Sequence, residues 1–160
     1  MIEFRPLAED DLSLIEEWLR REHVARWWRD DIAESLAEYR AAIEGREPTD
    51  HYLIVLDRRP IGLIQTYLAS DYPEWEAIVQ VGAGVAGIDI LIGDEELIGQ
   101  GLGPEILATF AREVATAPSL IATVEEENRR SWRAFEKAGF RYVRNVDEDD
   151  LPSRLMRLDR

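Results

Sequence analysis

The run Val85-Ala86-Gly87-Ile88-Asp89-Ile90-Leu91-Ile92 carries a single charge in eight residues, and Gly99-Gln100-Gly101-Leu102-Gly103 follows closely. The first segment reads as a buried strand, the second as a glycine-rich turn that opens a helix. This order of elements brings a potential base, Asp89, close in sequence to a potential phosphate cradle. Few chemistries need both within so short a stretch.

Each half of the feature has two readings. Glycines let a backbone come close to a ligand, and the first turn of a helix presents free N–H groups backed by the positive end of its dipole. Phosphate oxygens fit there without Lys or Arg. The alternative is a tight turn with glycine for packing. A Walker A loop would end in Gly-Lys-Ser/Thr, whereas this one ends in Gly103-Pro104-Glu105. A dinucleotide fingerprint would come early in a βαβ unit, and three strands precede this one. Asp89 in an apolar strand is costly unless paired or working. Desolvation there would raise its pKa toward the range of a general base. The alternative is an edge-strand carboxylate facing solvent.

The rest of the chain follows from periodicity. Residues 2–6 read as a strand, and Leu12, Leu14, Ile15, Trp18 and Leu19 recur at helical spacing over 9–20. A second helix covers 31–44, ended by Gly45 and Pro48. Residues 52–57 and 61–68 form a hairpin around Arg58-Arg59-Pro60. Residues 70–80 read as an irregular acidic and aromatic loop, long enough to suggest a function. After the strand at 85–92 come a helix at 102–116, a strand at 119–124, a helix at 128–138 stopped by Gly139, and strands at 140–146 and 152–158. Hairpins mixed with crossover helices predict an α+β fold: a single mixed, mostly antiparallel β-sheet flanked by about four helices. The 160 residues fit one domain, 1–160.

Charge and composition exclude several functions. The net charge of −14 is opposed to a nucleic-acid surface and attracts small cationic partners. With no Cys, disulfides, thiol catalysis and thiolate metal sites are all excluded. His23 and His51 are too isolated for metal ligands and are expected to be structural, so no metal is expected. No apolar run approaches the length of a membrane helix, and no signal core precedes residue 7. These features point to a soluble, cytoplasmic protein with no membrane or nucleic-acid partner.

The run 87–103, followed by Asn128-Arg129-Arg130-Ser131-Trp132-Arg133-Ala134-Phe135-Glu136-Lys137-Ala138-Gly139-Phe140, resembles the GNAT acetyltransferase superfamily. Within it, the chain is most similar to aminoglycoside 6'-N-acetyltransferases. His23-Val24-Ala25-Arg26-Trp27-Trp28, Pro60-Ile61-Gly62 and Gln65-Thr66-Tyr67 add to the likeness. The resemblance implies acetyl-CoA as acetyl donor. Ile98, Gly99, Gln100, Gly101, Leu102 and Gly103 would hold its pyrophosphate, Leu91 and Ile92 would pair with its pantetheine arm, and Asn128 would touch the cofactor. Asp89 would orient and deprotonate the acceptor amine. Trp28, Gln65, Tyr67, Asp71 and Trp75 would line the aminoglycoside pocket, with one of Trp27 and Trp28 in the core. The implied enzyme acts by direct transfer, as monomer or homodimer, and confers antibiotic resistance. Other amines (a siderophore hydroxylysine intermediate, a polyamine, a protein N-terminus) remain open as acceptors, as does a non-catalytic acyl-CoA-binding module.

Three departures qualify the likeness. Phe135 stands where many members carry the Tyr that protonates the leaving thiolate, which leaves that role to water or Tyr142. Thr123-Val124 replaces an Asp-Pro, and Glu125-Glu126-Glu127 reads as a solvated helix start. Asp147-Glu148-Asp149-Asp150 falls either in a substrate-facing loop or in a solvated hairpin turn.

Overall fold

The computed structural model describes residues 1–160, with seven strands in one mixed sheet ordered β1-β2-β3-β4-β5-β7-β6. The strands are β1 (Ile2–Pro6), β2 (Asp50–Leu56), β3 (Arg59–Leu68), β4 (Val85–Ile92), β5 (Ser119–Glu125), β6 (Arg141–Glu148) and β7 (Leu151–Asp159). Pairs β1–β2, β5–β7 and β6–β7 are antiparallel, whereas β4–β5 is parallel. The expected α+β architecture is therefore present.

Six α-helices accompany the sheet: α1 (Leu12–Arg20), α2 (Glu22–Ala25), α3 (Ile32–Ile43), α4 (Pro73–Val79), α5 (Leu102–Glu113) and α6 (Arg129–Lys137). The sequence reading gave about four. The two additions are short. Helix α2 spans a single turn between the two helices read at 9–20 and 31–44, a stretch with no element of its own in the sequence reading. Helix α4 lies inside the stretch read as an irregular loop, preceded by a 3-10 turn at Ala69–Asp71. Pro73 starts it, Glu74 and Glu76 sit in its first turn, and left-handed Gln80 (φ 50°) ends it. Its seven residues are too few for periodicity to reveal, but its start and stop chemistry is regular.

The chain forms two compact units, Met1–Gln65 with Asp89–Ile98, and Thr66–Ile88 with Gly99–Arg160. In the first, α1 turns Leu12, Ile15, Trp18 and Leu19 onto Leu53, Leu63 and Leu91 of the sheet. Helix α3 starts at Asp31, whose Oδ1 accepts from Glu34 N at 3.0 Å, and contributes buried Tyr39. Asp57 and Arg58 both adopt positive φ, 48° and 72°, in the tight turn from β2 to β3.

In the second unit, Val79 of α4 packs with Ala69, Val85, Ile121, Val146 and Leu155. Helix α5 buries Ile106, Leu107, Phe110 and Ala111. Phe135 is 2% exposed and meets Phe140 edge-on at 5.1 Å. The β6–β7 hairpin closes through Asp149 and Asp150 at φ 52° and 63°, with Glu148 opposite Leu151. That acidic segment is a two-residue hairpin turn whose Asp149 and Asp150 are exposed.

Candidate active site

Asp89 sits in the middle of β4, a central strand of the sheet rather than an edge. Its side chain is half-buried, and its Oδ2 accepts a hydrogen bond from Gln65 Nε2 of β3 at 2.9 Å. Gln65 Oε1 is buried and meets no partner at hydrogen-bonding geometry. Both residues stand out in the sequence, but their bond depends on strand register, which the sequence does not show.

The end of β4 is braced by side chains that the sequence reading left without a role. Arg21 donates to the Gly93 carbonyl at 2.6 Å, and His23 Nε2 lies 3.0 Å from the Ile92 carbonyl. The Trp18 ring lies so near Gly93 that a Cβ there would come within 2.3 Å of it. Gly93 N donates to Ile61 O at 2.7 Å, so Gly93 faces β3 and the Ile92 peptide edge faces away from it. His23 is thus structural, as expected. Leu91 is buried in the core of the first unit, and its carbonyl lies against Gly62 of β3, within 2.2 Å of where a Cβ there would stand.

Trp28 is half-buried against that same core, and its side chain hydrogen-bonds Tyr39. Burial, the largest influence, pushes the Tyr39 hydroxyl far above its ordinary pKa. Trp27 is also half-buried and lies beneath the Arg26 guanidinium at 5.2 Å. Neither tryptophan is wholly core.

In the second unit, Tyr67 meets Trp75 edge-on at 5.2 Å and Tyr72 at 5.4 Å. Gly87 lies under these rings, since a Cβ there would stand 2.8 Å from both Trp75 and Tyr67. Asp71 is exposed in the 3-10 turn before α4. The pairing of β4 with β5 runs through Val85, Ala86 and Gly87.

The glycine-rich turn is exposed and opens α5 with two left-handed glycines. Gly99 and Gly101 have φ 81° and 79°, and Gly101 is the N-cap of α5 with no side chain capping it. Gly99, Gln100 and Gly101 are exposed, and nothing lies within 4 Å of a Cβ built on either glycine. A Cβ built on Gly103 would instead stand 3.3 Å from the Ala134 Cβ of α6. Asn128 is the N-cap residue of α6, yet its side chain does not cap.

The vacancy at Phe135 is a matter of packing: the ring is core. Tyr142 on β6 is 44% exposed, and its hydroxyl donates to Asn145 Oδ1 at 2.8 Å. Glu126 is more than part of a solvated run. Its Oε2 accepts from Arg154 Nε at 3.0 Å, and its carbonyl accepts from Trp132 Nε1 at 3.0 Å. Arg154 lies 3.9 Å above the Trp132 ring and 4.8 Å from that of Tyr142.

Residues 8–148 match the acetyltransferase (GNAT) domain family, close to the whole chain. The protein is a GNAT acetyltransferase. Among curated proteins it resembles aminoglycoside N(6')-acetyltransferase type 1 of Klebsiella pneumoniae and that of Serratia marcescens. Each is 29% identical over 162 residues, covering 95% of this chain and 80% of the relative. Among solved structures, this GNAT fold is similar to AAC(6')-Ib with paromomycin and acetyl-CoA, at TM-score 0.88 and 29% identity, covering 99% of this chain and 93% of that one. AAC(6')-Ib with coenzyme A and kanamycin also gives TM-score 0.88 and 29% identity, covering 100% and 95%. Spermidine N-acetyltransferase of Vibrio cholerae, at 15% identity and TM-score 0.73, shares the fold.

Proposed function

We propose that this acetyltransferase moves the acetyl group of acetyl-CoA to the 6'-amine of aminoglycosides, with Asp89 as base. The observation that carries the proposal is the half-buried Asp89 carboxylate, held by Gln65 on the strand that leads into the Gly99–Gly103 turn. The 29% identity to aminoglycoside N(6')-acetyltransferases across 95% of the chain supports the choice of acceptor.

Each group has a chemical task. The exposed turn from Gly99 to Gly103, at the N-terminus of α5, fits a pyrophosphate, and positive φ without Cβ at Gly99 and Gly101 leaves the approach open. Ile98 leads into that turn, and Asn128 keeps a side-chain amide free of capping for the same cosubstrate. Of the Leu91–Ile92 backbone, the Ile92 edge that faces away from β3 is the place for an added strand. Tyr67, Trp75 and Trp28 offer ring faces and edges to a sugar, while Gln65 and Asp71 supply an amide and a carboxylate for its hydroxyl and ammonium groups.

The reaction needs no covalent intermediate. The acceptor ammonium gives a proton to Asp89, directly or through water. Its nitrogen then attacks the thioester carbonyl, the C–N bond forms, and the C–S bond breaks. Coenzyme A leaves as thiolate, and the second proton, shed by the new amide nitrogen, reaches it through water, because Phe135 has none to give.

Acetyl-CoA with kanamycin or tobramycin should release free coenzyme A, read by a thiol reagent. Gentamicin components methylated at the 6' amine should react poorly. Absence of coenzyme A release across a broad aminoglycoside panel, with release on a polyamine or a siderophore precursor, would transfer the assignment to that acceptor.

A further inference from the structure

His51 on β2 has a fixed backbone and an unspent side chain. Its carbonyl accepts from Leu7 N at 3.0 Å, which ties the residue into the sheet. The Tyr39 ring packs edge-on against the imidazole, with centroids 4.8 Å apart and planes at 66°. Nδ1 is buried and meets no partner at hydrogen-bonding geometry. Gln65 Oε1 is buried and orphaned in the same way, although Gln65 Nε2 is bonded to Asp89. The His51 and Gln65 side chains already interact, with Gln65 favouring a proton on the ring. A buried ring nitrogen and a buried amide oxygen, each without a partner at hydrogen-bonding geometry and on two side chains that interact, can supply the two ends of one bond.

We propose that His51 is a positioning residue for Asp89: its Nδ1–H donates to Gln65 Oε1 and fixes the amide whose Nε2–H holds Asp89 Oδ2. The proposal rests on the reading of Asp89 as the base. A glutamine amide turns easily about its last torsion, and a donor on Oε1 removes that freedom. Burial, the larger influence, depresses the imidazole pKa to about 4, so at neutral pH the ring is uncharged and carries one N–H. With that hydrogen on Nδ1, the three side chains form a continuous donor-to-acceptor chain that ends on the carboxylate.

Two experiments on the full chain test the assignment. Long-range nitrogen–proton NMR of the wild type should show His51 as the Nδ1–H tautomer. The Nε2–H tautomer would overturn the proposal, whatever any variant does. In kinetics, His51→Phe keeps a ring against Tyr39 and removes the donor, while His51→Asn restores an N–H near Nδ1. His51→Phe should lower kcat roughly 10- to 100-fold with KM for acetyl-CoA unchanged, and His51→Asn should recover most of that loss. In an Asp89→Asn background, His51→Phe should cost nothing further. Equal losses in the Phe and Asn variants, or full kcat in His51→Phe while Asp89→Asn is inactive, would overturn the positioning role alone. Full turnover in Asp89→Asn would remove the base reading itself, and this proposal with it.

Discussion

Gln65 Nε2 donates to Asp89 Oδ2 at 2.9 Å, joining the middle of β3 to the middle of β4 by their side chains. A hydrogen bond to a charged group is worth about 1.5–3 kcal/mol. Removing it takes away one bond that orients the carboxylate toward an incoming amine. Gln65→Leu keeps the shape and loses the donor. We expect kcat/KM for aminoglycoside acetylation to fall by roughly tenfold or more, with acetyl-CoA affinity unchanged by calorimetry.

Gly87→Ala should separate acceptor binding from cofactor binding. The new Cβ would lie 2.8 Å from Trp75 and Tyr67, so the ring cluster must move. Overpacking of this kind costs about 1–3 kcal/mol. Thermal unfolding should register that loss, and aminoglycoside affinity should fall while acetyl-CoA affinity holds. An unchanged aminoglycoside Kd would remove Tyr67 and Trp75 from the acceptor site.

Gly101→Ala tests the phosphate turn through the backbone alone. Nothing stands within 4 Å of the added methyl, so any effect comes from holding φ near 79° with a Cβ. The strain is about 1–2 kcal/mol. Acetyl-CoA binding should weaken correspondingly, by roughly five- to thirtyfold. Gly101→Asn, which tolerates the left-handed region better, should be milder.

His51 also makes stability depend on pH. Burial lowers its pKa from 6.5 to about 4, so between those values the unfolded chain binds the extra proton and the folded chain does not. The associated stability is fully present above pH 6.5 and is lost as pH falls toward 4, by about 3 kcal/mol at most. Denaturant titrations of His51→Phe should show a flatter profile across that window. Asp159 does not interfere there. Hydrogen bonds from Arg157, Ser119 and Arg141 hold it at about 2, so its contribution is lost only below pH 3.8.

Most of the architecture was legible in the order of residues because it rests on local rules. The boundaries of β4 at Val85 and Ile92, and the start of α5 at Leu102, follow from an apolar run and a glycine turn that need no tertiary partner. The family likeness was carried by the same two segments and by Glu136-Lys137-Ala138-Gly139-Phe140. Helix α4 escaped because seven residues give no period, and α2 because a single turn gives none.

What the linear order did not contain was which side chains meet across strands. That Asp89 bonds Gln65, that Gly87 underlies Trp75, that Arg21 and His23 brace the end of β4, and that His51 faces Gln65 all depend on register and layering. Such contacts join residues tens of positions apart, and a one-residue slip in pairing would turn each side chain to the opposite face. Local sequence specifies an element and its ends; the packed sheet alone selects the partners of a half-buried carboxylate.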